Sequence, residues 1–429
     1  MIRSIREKLQ VFFTKGHERT ILTKKNIAVS FGIKGITILI SLVLVPMTIN
    51  YVNPERNGIW LTLYSIIFWL NLFDIGLGSG LKNKLAEAKA GGDTELAKKY
   101  ISSTYAILSL ICLVVFLLFC LINPYLNWLE MLNVPVAYAR EIAGIVWISI
   151  IFFCFTFVLN LLKSIVTADQ RPAIGSFLDM LGQLLTFAGI FILSKTVPPS
   201  LISLGLVTGL APVIVFIIAT FVLFNTRYKH WKPAFKSIDF KVAGSMVNLG
   251  FKFFITGCAF LVVTQTLPIL IQRITNPVEV TNFNTAFRLF SLTFNVIGII
   301  IMPYWSSFTD AYTQKDFAWM KQSFTHLRKL FMYSIVVQLI LLLLSPLIYY
   351  LWINSWIKDA ANNLDISFWL SLAVSVYVCA LTWLNICIYP INGIGKIKLQ
   401  VYSSIMEMAL FIPLALWSFH NQLIIILFF

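Results

Sequence analysis

Apolar residues run along this chain in long stretches rather than in alternation. Polar and charged breaks divide them at 26–50, 58–78, 101–122, 143–165, 174–193 and 201–224, then at 246–271, 283–303, 330–352, 368–389 and 397–417. Each stretch is long enough to cross a hydrocarbon core of ~30 Å as a helix, and none shows the alternation over about ten residues that marks a barrel strand. The pattern predicts an all-α integral membrane protein with eleven complete spans. The closing stretch, 421–429, would rise only about 14 Å as a helix. It reads as the start of a twelfth span, with the chain cut short there.

Composition agrees. Of 429 residues, 59% are apolar and 12% charged, against about 25% charged in soluble domains. Four histidines (His17, His230, His326, His420) fall in loops or at segment ends, which argues against a haem or zinc site within the membrane. Six cysteines (Cys112, Cys120, Cys154, Cys258, Cys379, Cys387) lie inside apolar segments without CxxC spacing, as small buried hydrophobes do. The longest loop, near 305–329, is well short of the ~50 residues a soluble domain needs. We therefore expect no enzyme, cofactor or metal.

Basic residues carry the topology. Of 33 Lys and Arg, 25 fall in the N-terminal tail and the even-numbered loops, and five (Arg56, Arg140, Lys195, Arg273, Lys358) in the odd-numbered ones. By the positive-inside rule the N-terminus and even loops are cytoplasmic. The first span is too long, and too plainly without a small-residue cleavage site, to be a removable signal peptide. Scattered over short membrane-flanking segments, these charges do not form the single patch that binds nucleic acid.

The chain also repeats. A shift of 223 residues places Asn53-Pro54 on Asn276-Pro277, Glu87-Ala88 on Asp310-Ala311, Asp93 on Asp316 and Lys98 on Lys321. A shift of 225 places Asn160 on Asn385 and Arg171 on Lys396. Two bundles of about six helices follow, residues 1–228 and 229–429, in the same orientation. Parallel halves of this kind suggest alternating access around a central site, and a monomer holding both would suffice.

Three cations remain inside spans: Lys34, Lys252 and Arg288, the last near the outer end of its span. Each either snorkels to a headgroup, pairs with a carbonyl, or faces an aqueous cavity. In a cavity they would favour phosphate groups. Glu407, deep in the eleventh span, could carry a proton or sodium ion, or else pair with Lys34 or Lys252 or bond Ser403 or Ser404. Asp179, in the fifth span, is the second such candidate, with an interfacial position as its alternative. Export of a cationic drug would instead want acids in excess.

The most distinctive segment is Phe73-Asp74-Ile75-Gly76-Leu77-Gly78-Ser79-Gly80-Leu81-Lys82-Asn83-Lys84-Leu85-Ala86-Glu87-Ala88. It follows a membrane helix with no βαβ unit around it, so it is not a dinucleotide loop. Gly76 and Gly80 would instead permit close helix contact, as would Gly32/Gly35 and Gly205/Gly209, with an amphipathic cytoplasmic segment beginning at Asn83.

Together with Pro54-Glu55-Arg56-Asn57-Gly58-Ile59-Trp60, this segment resembles the bacterial polysaccharide (Wzx-type, O-antigen) flippases of the MOP superfamily, related to the MATE exporters and lipid II flippases. The resemblance is specific over the first three spans, and its motif covers Asp74, Gly76, Gly78, Gly80, Lys82 and Asn83. It implies a transporter of the bacterial inner membrane. The cargo would be an undecaprenyl-pyrophosphate-linked oligosaccharide, carried across by alternating access through a cationic central cavity. Lys34, Lys252 and Arg288 are the expected substrate-binding residues, and Trp60, Trp69 and Trp305 are candidates to stack on sugars. Membrane lipids and other polysaccharide assembly proteins would be the partners. The alternatives are a cation-coupled multidrug exporter and a membrane-embedded enzyme of envelope glycan assembly.

Overall fold

The computed structural model describes residues 18–420 except 75, 302–303, 358–361 and 395–396, and leaves out some side chains within helices, those of Lys252 and Trp305 among them. The described residues form helices and turns, with no strand. The first half of the chain holds α1 (Glu18–Val52), α2 (Pro54–Phe68), α3 (Leu77–Ala90), α4 (Thr94–Ile122), the single turn α5 (Trp128–Met131), α6 (Ala139–Leu159), α7 (Leu161–Ala168), α8 (Pro172–Thr196) and α9 (Leu201–Asn225). The second half holds α10 (Phe240–Ile274), α11 (Pro277–Ile301), α12 (Tyr304–Thr313), α13 (Phe317–Trp352), α14 (Phe368–Ile394) and α15 (Ile397–His420). Nine stretches among the described residues are long and apolar enough to cross a membrane. The stretch 421–429, expected to start a further span, lies outside the described residues.

The second predicted span is corrected. Instead of one helix over 58–78, α2 ends at Phe68, tightens into a 3-10 turn over Trp69–Asp74, and gives way to α3 at Gly76 (φ 76°). A left-handed backbone favours glycine, so the chain turns there. The 15 residues of α-helix and six of 3-10 helix still rise about 34 Å together, enough for the hydrocarbon core.

Helix starts recur at the 223-residue spacing. Asn53 accepts a hydrogen bond from the Arg56 N–H (2.9 Å) and Asn276 from the Glu279 N–H (3.1 Å), each with proline opening the helix that follows. Asp93 caps Leu96 (2.9 Å) and Asp316 caps Trp319 (3.0 Å). The residues before these aspartates, Gly92 (φ 73°) and Lys315 (φ 59°), are both left-handed. Side-chain oxygens satisfying otherwise orphaned N–H groups fix where each helix begins. Pro46 in α1 and Pro268 in α10 each lie six residues before the helix ends.

One buried cluster joins Leu77, Leu81 and Leu85 of α3 to Leu162, Ile165 and Val166 of α7. Another, in the second half, joins Val280, Ala286 and Phe290 of α11 to Val374 and Val378 of α14. Gly205 and Gly209 of α9 allow the close packing expected of them: an added Cβ would lie 2.4 Å from the Ile145 side chain and 2.3 Å from that of Phe152. For Gly32 and Gly35 the expectation fails, since a Cβ at either would meet nothing within 4 Å.

A polar seam joins the halves near the starts of α2 and α11. Thr281 Oγ1 donates to the Pro54 carbonyl (2.7 Å), and the Asn57 amide donates to Thr281 (3.2 Å). Thr62 donates to Gln272 (3.2 Å), whose amide donates in turn to the Leu132 carbonyl (2.6 Å), while Arg273 donates to the carbonyl of Glu130.

Candidate functional site

Away from that seam, α1, α2, α6, α8 and α9 surround a cavity of about 620 Å³. A smaller one of about 160 Å³ adjoins it between the halves, where Asn284, Thr285 and Arg288 of α11 meet residues of α1, α2, α8 and α9. The two share Trp60, Thr186 and Thr208 on their walls. Cavities of several hundred Å³ with a mainly apolar wall and a few polar groups are the usual form of a ligand site.

Arg288 stands near the middle of α11, not near its outer end as the sequence suggested, because the helix begins at Pro277. Its side chain is exposed to solvent although both halves surround the cavity it lines. No carboxylate among the described residues is within ion-pair distance of it; its electrostatic neighbour is Tyr64 of α2. A charge at that depth persists where water or a ligand solvates it. Lys34 lines the larger cavity, so these two cations border adjoining spaces. Lys252 lies outside the described side chains.

Asp179 does face the larger cavity, and it is paired there with Lys163 of α7 (3.1 Å), which also sits 5.5 Å from the Phe216 ring. Glu407 lines neither cavity. It is half-buried on α15, and its electrostatic neighbour is Tyr377 of α14 rather than Lys34. Of the tryptophans, Trp60 borders both spaces and Trp69 neither, while the Trp305 side chain is outside the description.

The glycine-rich segment positions a helix and does not line the cavity. Asp74 Oδ1 accepts the Gly78 N–H (3.1 Å), Gly80 N–H bonds the Gly76 carbonyl (2.8 Å), and Leu77, Leu81 and Leu85 turn fully inward. Lys82 is exposed and Asn83 half-buried on α3. Gly76, left-handed at φ 76°, turns the chain into α3.

Sequence reasoning missed Asp169, just past α7. Its buried carboxylate accepts from Lys89 (2.6 Å), Arg227 (3.0 Å) and the Tyr228 hydroxyl (3.0 Å), with Arg171 at 3.5 Å. Burial alone would raise its pKa, but the Lys89 and Arg227 bonds outweigh burial and hold it below the usual carboxylate value. The cluster ties α3, the α7–α8 turn and the segment after α9. Lys163, missed as a cavity residue, sits two residues from the end of the fourth apolar stretch, where its charge groups it with the cytoplasmic loops.

A helical membrane protein with a cation-bordered cavity between packed halves defines the class. Residues 23–309 match the polysaccharide biosynthesis protein family, and the chain belongs to it. It is 24% identical over 268 residues to a Salmonella typhi protein provisionally named an O-antigen transporter, a match covering 62% of this chain and 60% of that one. The fold is that of the MATE transporters. An inward-facing multidrug resistance MATE transporter of the MOP superfamily superposes with a TM-score of 0.71 at 14% identity, over 94% of each chain. An outward-facing one gives 0.64 at 16% identity, over 95% of this chain and 92% of that one.

Proposed function

We propose that the chain is a flippase carrying an undecaprenyl-pyrophosphate-linked oligosaccharide from the inner to the outer leaflet of the bacterial cytoplasmic membrane. The observation that carries this reading is Arg288: a solvent-accessible cation at mid-helix, without a described acidic partner, on a cavity adjoining that of Lys34. Two cations without a carboxylate partner suit a pyrophosphate, which a guanidinium can hold through two parallel hydrogen bonds. Family membership supports the polysaccharide, and the recurrence of helix caps at 223 residues supports two equivalent halves, 1–228 and 229–429, that rock about the cavity.

A multidrug exporter for cations fits this lining less well, because its one acid, Asp179, is already bound to Lys163. In our reading a monomer suffices, the basic side of the chain is cytoplasmic, and the protein transports without catalysing a reaction. Glu407 is the group through which a proton or sodium gradient acts.

The test reconstitutes the protein in proteoliposomes with a fluorescent polyprenyl-pyrophosphate oligosaccharide and follows its exposure to an external sugar-modifying enzyme. Protein-dependent exposure, faster with a gradient in the parent but not in Glu407→Gln, is expected. Absence of exposure with folded protein would refute the flippase reading.

A further inference from the structure

We propose that the larger cavity is a glycan chamber in which sugar rings lie against an aromatic ladder on α2, apart from the phosphate site at Arg288. The inference rests on the flippase reading and assigns the two ends of one substrate to two places.

The ladder is Trp60, Tyr64 and Phe68, spaced i, i+4 and i+8 and therefore on one helix face over about 12 Å. Adjacent ring centroids are 6.0 and 5.8 Å apart, with planes inclined by 49° and 37°, and all three rings line the cavity. Tyr64 is 50% exposed there, a large aromatic surface with no protein covering it. Elsewhere on the wall, Ser149 of α6 and Gln183 of α8 hold Oγ and Oε1 atoms that are buried and have no hydrogen-bond partner. Ser149 itself is only 9% exposed. A buried polar atom left unpaired costs free energy that a ligand hydroxyl would recover.

An apolar C–H face to stack on the ladder and a rim of hydroxyls to reach Ser149 and Gln183 is the chemistry of a pyranose ring. A purely apolar compound would leave both polar atoms unmet. A cation would find Asp179 already held by Lys163 at 3.1 Å, with Lys34 on the same wall. Trp60 borders both spaces, so the sugar joined to the pyrophosphate lies at Trp60, and later sugars follow Tyr64 and Phe68.

The experiment uses the full chain in lipid nanodiscs and two probes without lipid: a neutral trisaccharide, maltotriose or tri-N-acetylchitotriose, observed by saturation-transfer NMR, and inorganic pyrophosphate, observed by calorimetry. Phe68→Leu and Gln183→Leu should each weaken the trisaccharide about ten-fold and leave pyrophosphate binding unchanged, which also reports that the variants are folded. Arg288→Gln should show the reverse. Trisaccharide binding that is absent in the parent, or equal in parent and both leucine variants while pyrophosphate still depends on Arg288, would overturn the chamber and leave the flippase intact. Failure of the parent to move the lipid-linked substrate would instead remove the reading beneath it.

Discussion

Gly58 of α2 and Pro277 of α11 approach so closely that a Cβ on Gly58 would lie 1.7 Å from the Pro277 carbonyl oxygen. The 223-residue spacing places Pro54 on Pro277 and Gly58 on Thr281, and Thr281 hydroxyl meets the Pro54 carbonyl at 2.7 Å. The two helix starts thus cross reciprocally: a hydroxyl reaches a carbonyl on one side, and on the other the missing side chain makes room for one. No L-residue with a Cβ fits at 58 unless the halves part. Gly58→Ala should therefore hold this seam open, at a cost of about 1–3 kcal/mol to the closed form. We expect flipping to fall at least about ten-fold and a cysteine placed at Thr281 to become reactive to a membrane-impermeant maleimide. Unchanged labelling and transport in Gly58→Ala would show that the seam does not gate the cavity.

Neutralising the cavity cations should act on the substrate's charge rather than on the fold. Arg288→Gln together with Lys34→Ala is expected to abolish flipping of the pyrophosphate-linked oligosaccharide while leaving thermal unfolding within about 1 kcal/mol of the parent, because neither cation has a described acidic partner to orphan. A double variant that still transports at the parent rate would rule out a cationic site here.

The structure keeps most of the helices that the periodicity of the sequence implied, because span length and the apolar pattern are local properties. Where the reading failed, non-local or backbone geometry decided. The second span ended early because Gly76 is left-handed, which a hydropathy pattern does not encode. Gly32 and Gly35 faced open space because the path of the neighbouring helices, not glycine spacing, decides contact. Lys163 and Asp179 meet only because α7 and α8 fold back on each other, so their pairing across 16 residues was invisible. Tyr64 had a legible signal in its i+4 spacing from Trp60 and to Phe68, but that pattern is equally that of a lipid-facing stripe until the cavity is seen.

The paired helix caps make a stability prediction. Asp93 and Asp316 each accept one helix-start N–H at 2.9 and 3.0 Å, so Asp93→Ala and Asp316→Ala should each cost about 1 kcal/mol. The caps lie in separate halves and share no partner, so the losses should add. Thermal unfolding in detergent of both single variants and the double checks this. A double variant no less stable than the worse single one would show that the caps are coupled.

Asp169 should give the chain a stability term that depends on acid pH. Its folded-state pKa lies below the ordinary 3.8, set by the Lys89 and Arg227 bonds against the opposing effect of burial. A carboxylate held low in the folded state stabilises fully above its unfolded pKa. That contribution is lost as pH falls through the lower folded value, when the protonated acid no longer holds Lys89, Arg171 and Arg227. At pH 7 Asp169→Asn should destabilise the protein by about 1–3 kcal/mol, discounted for the partial exposure of all three cations. Between pH 7 and pH 5 the difference from the parent should stay constant. Below about pH 3.8 it should shrink, since both proteins then carry a neutral group at 169. Thermal unfolding of parent and variant across that range decides it: a difference that instead vanishes between pH 7 and 5, or never appears, would mean the cluster's cations are satisfied by solvent and Asp169 does not tie α3 to the segment after α9.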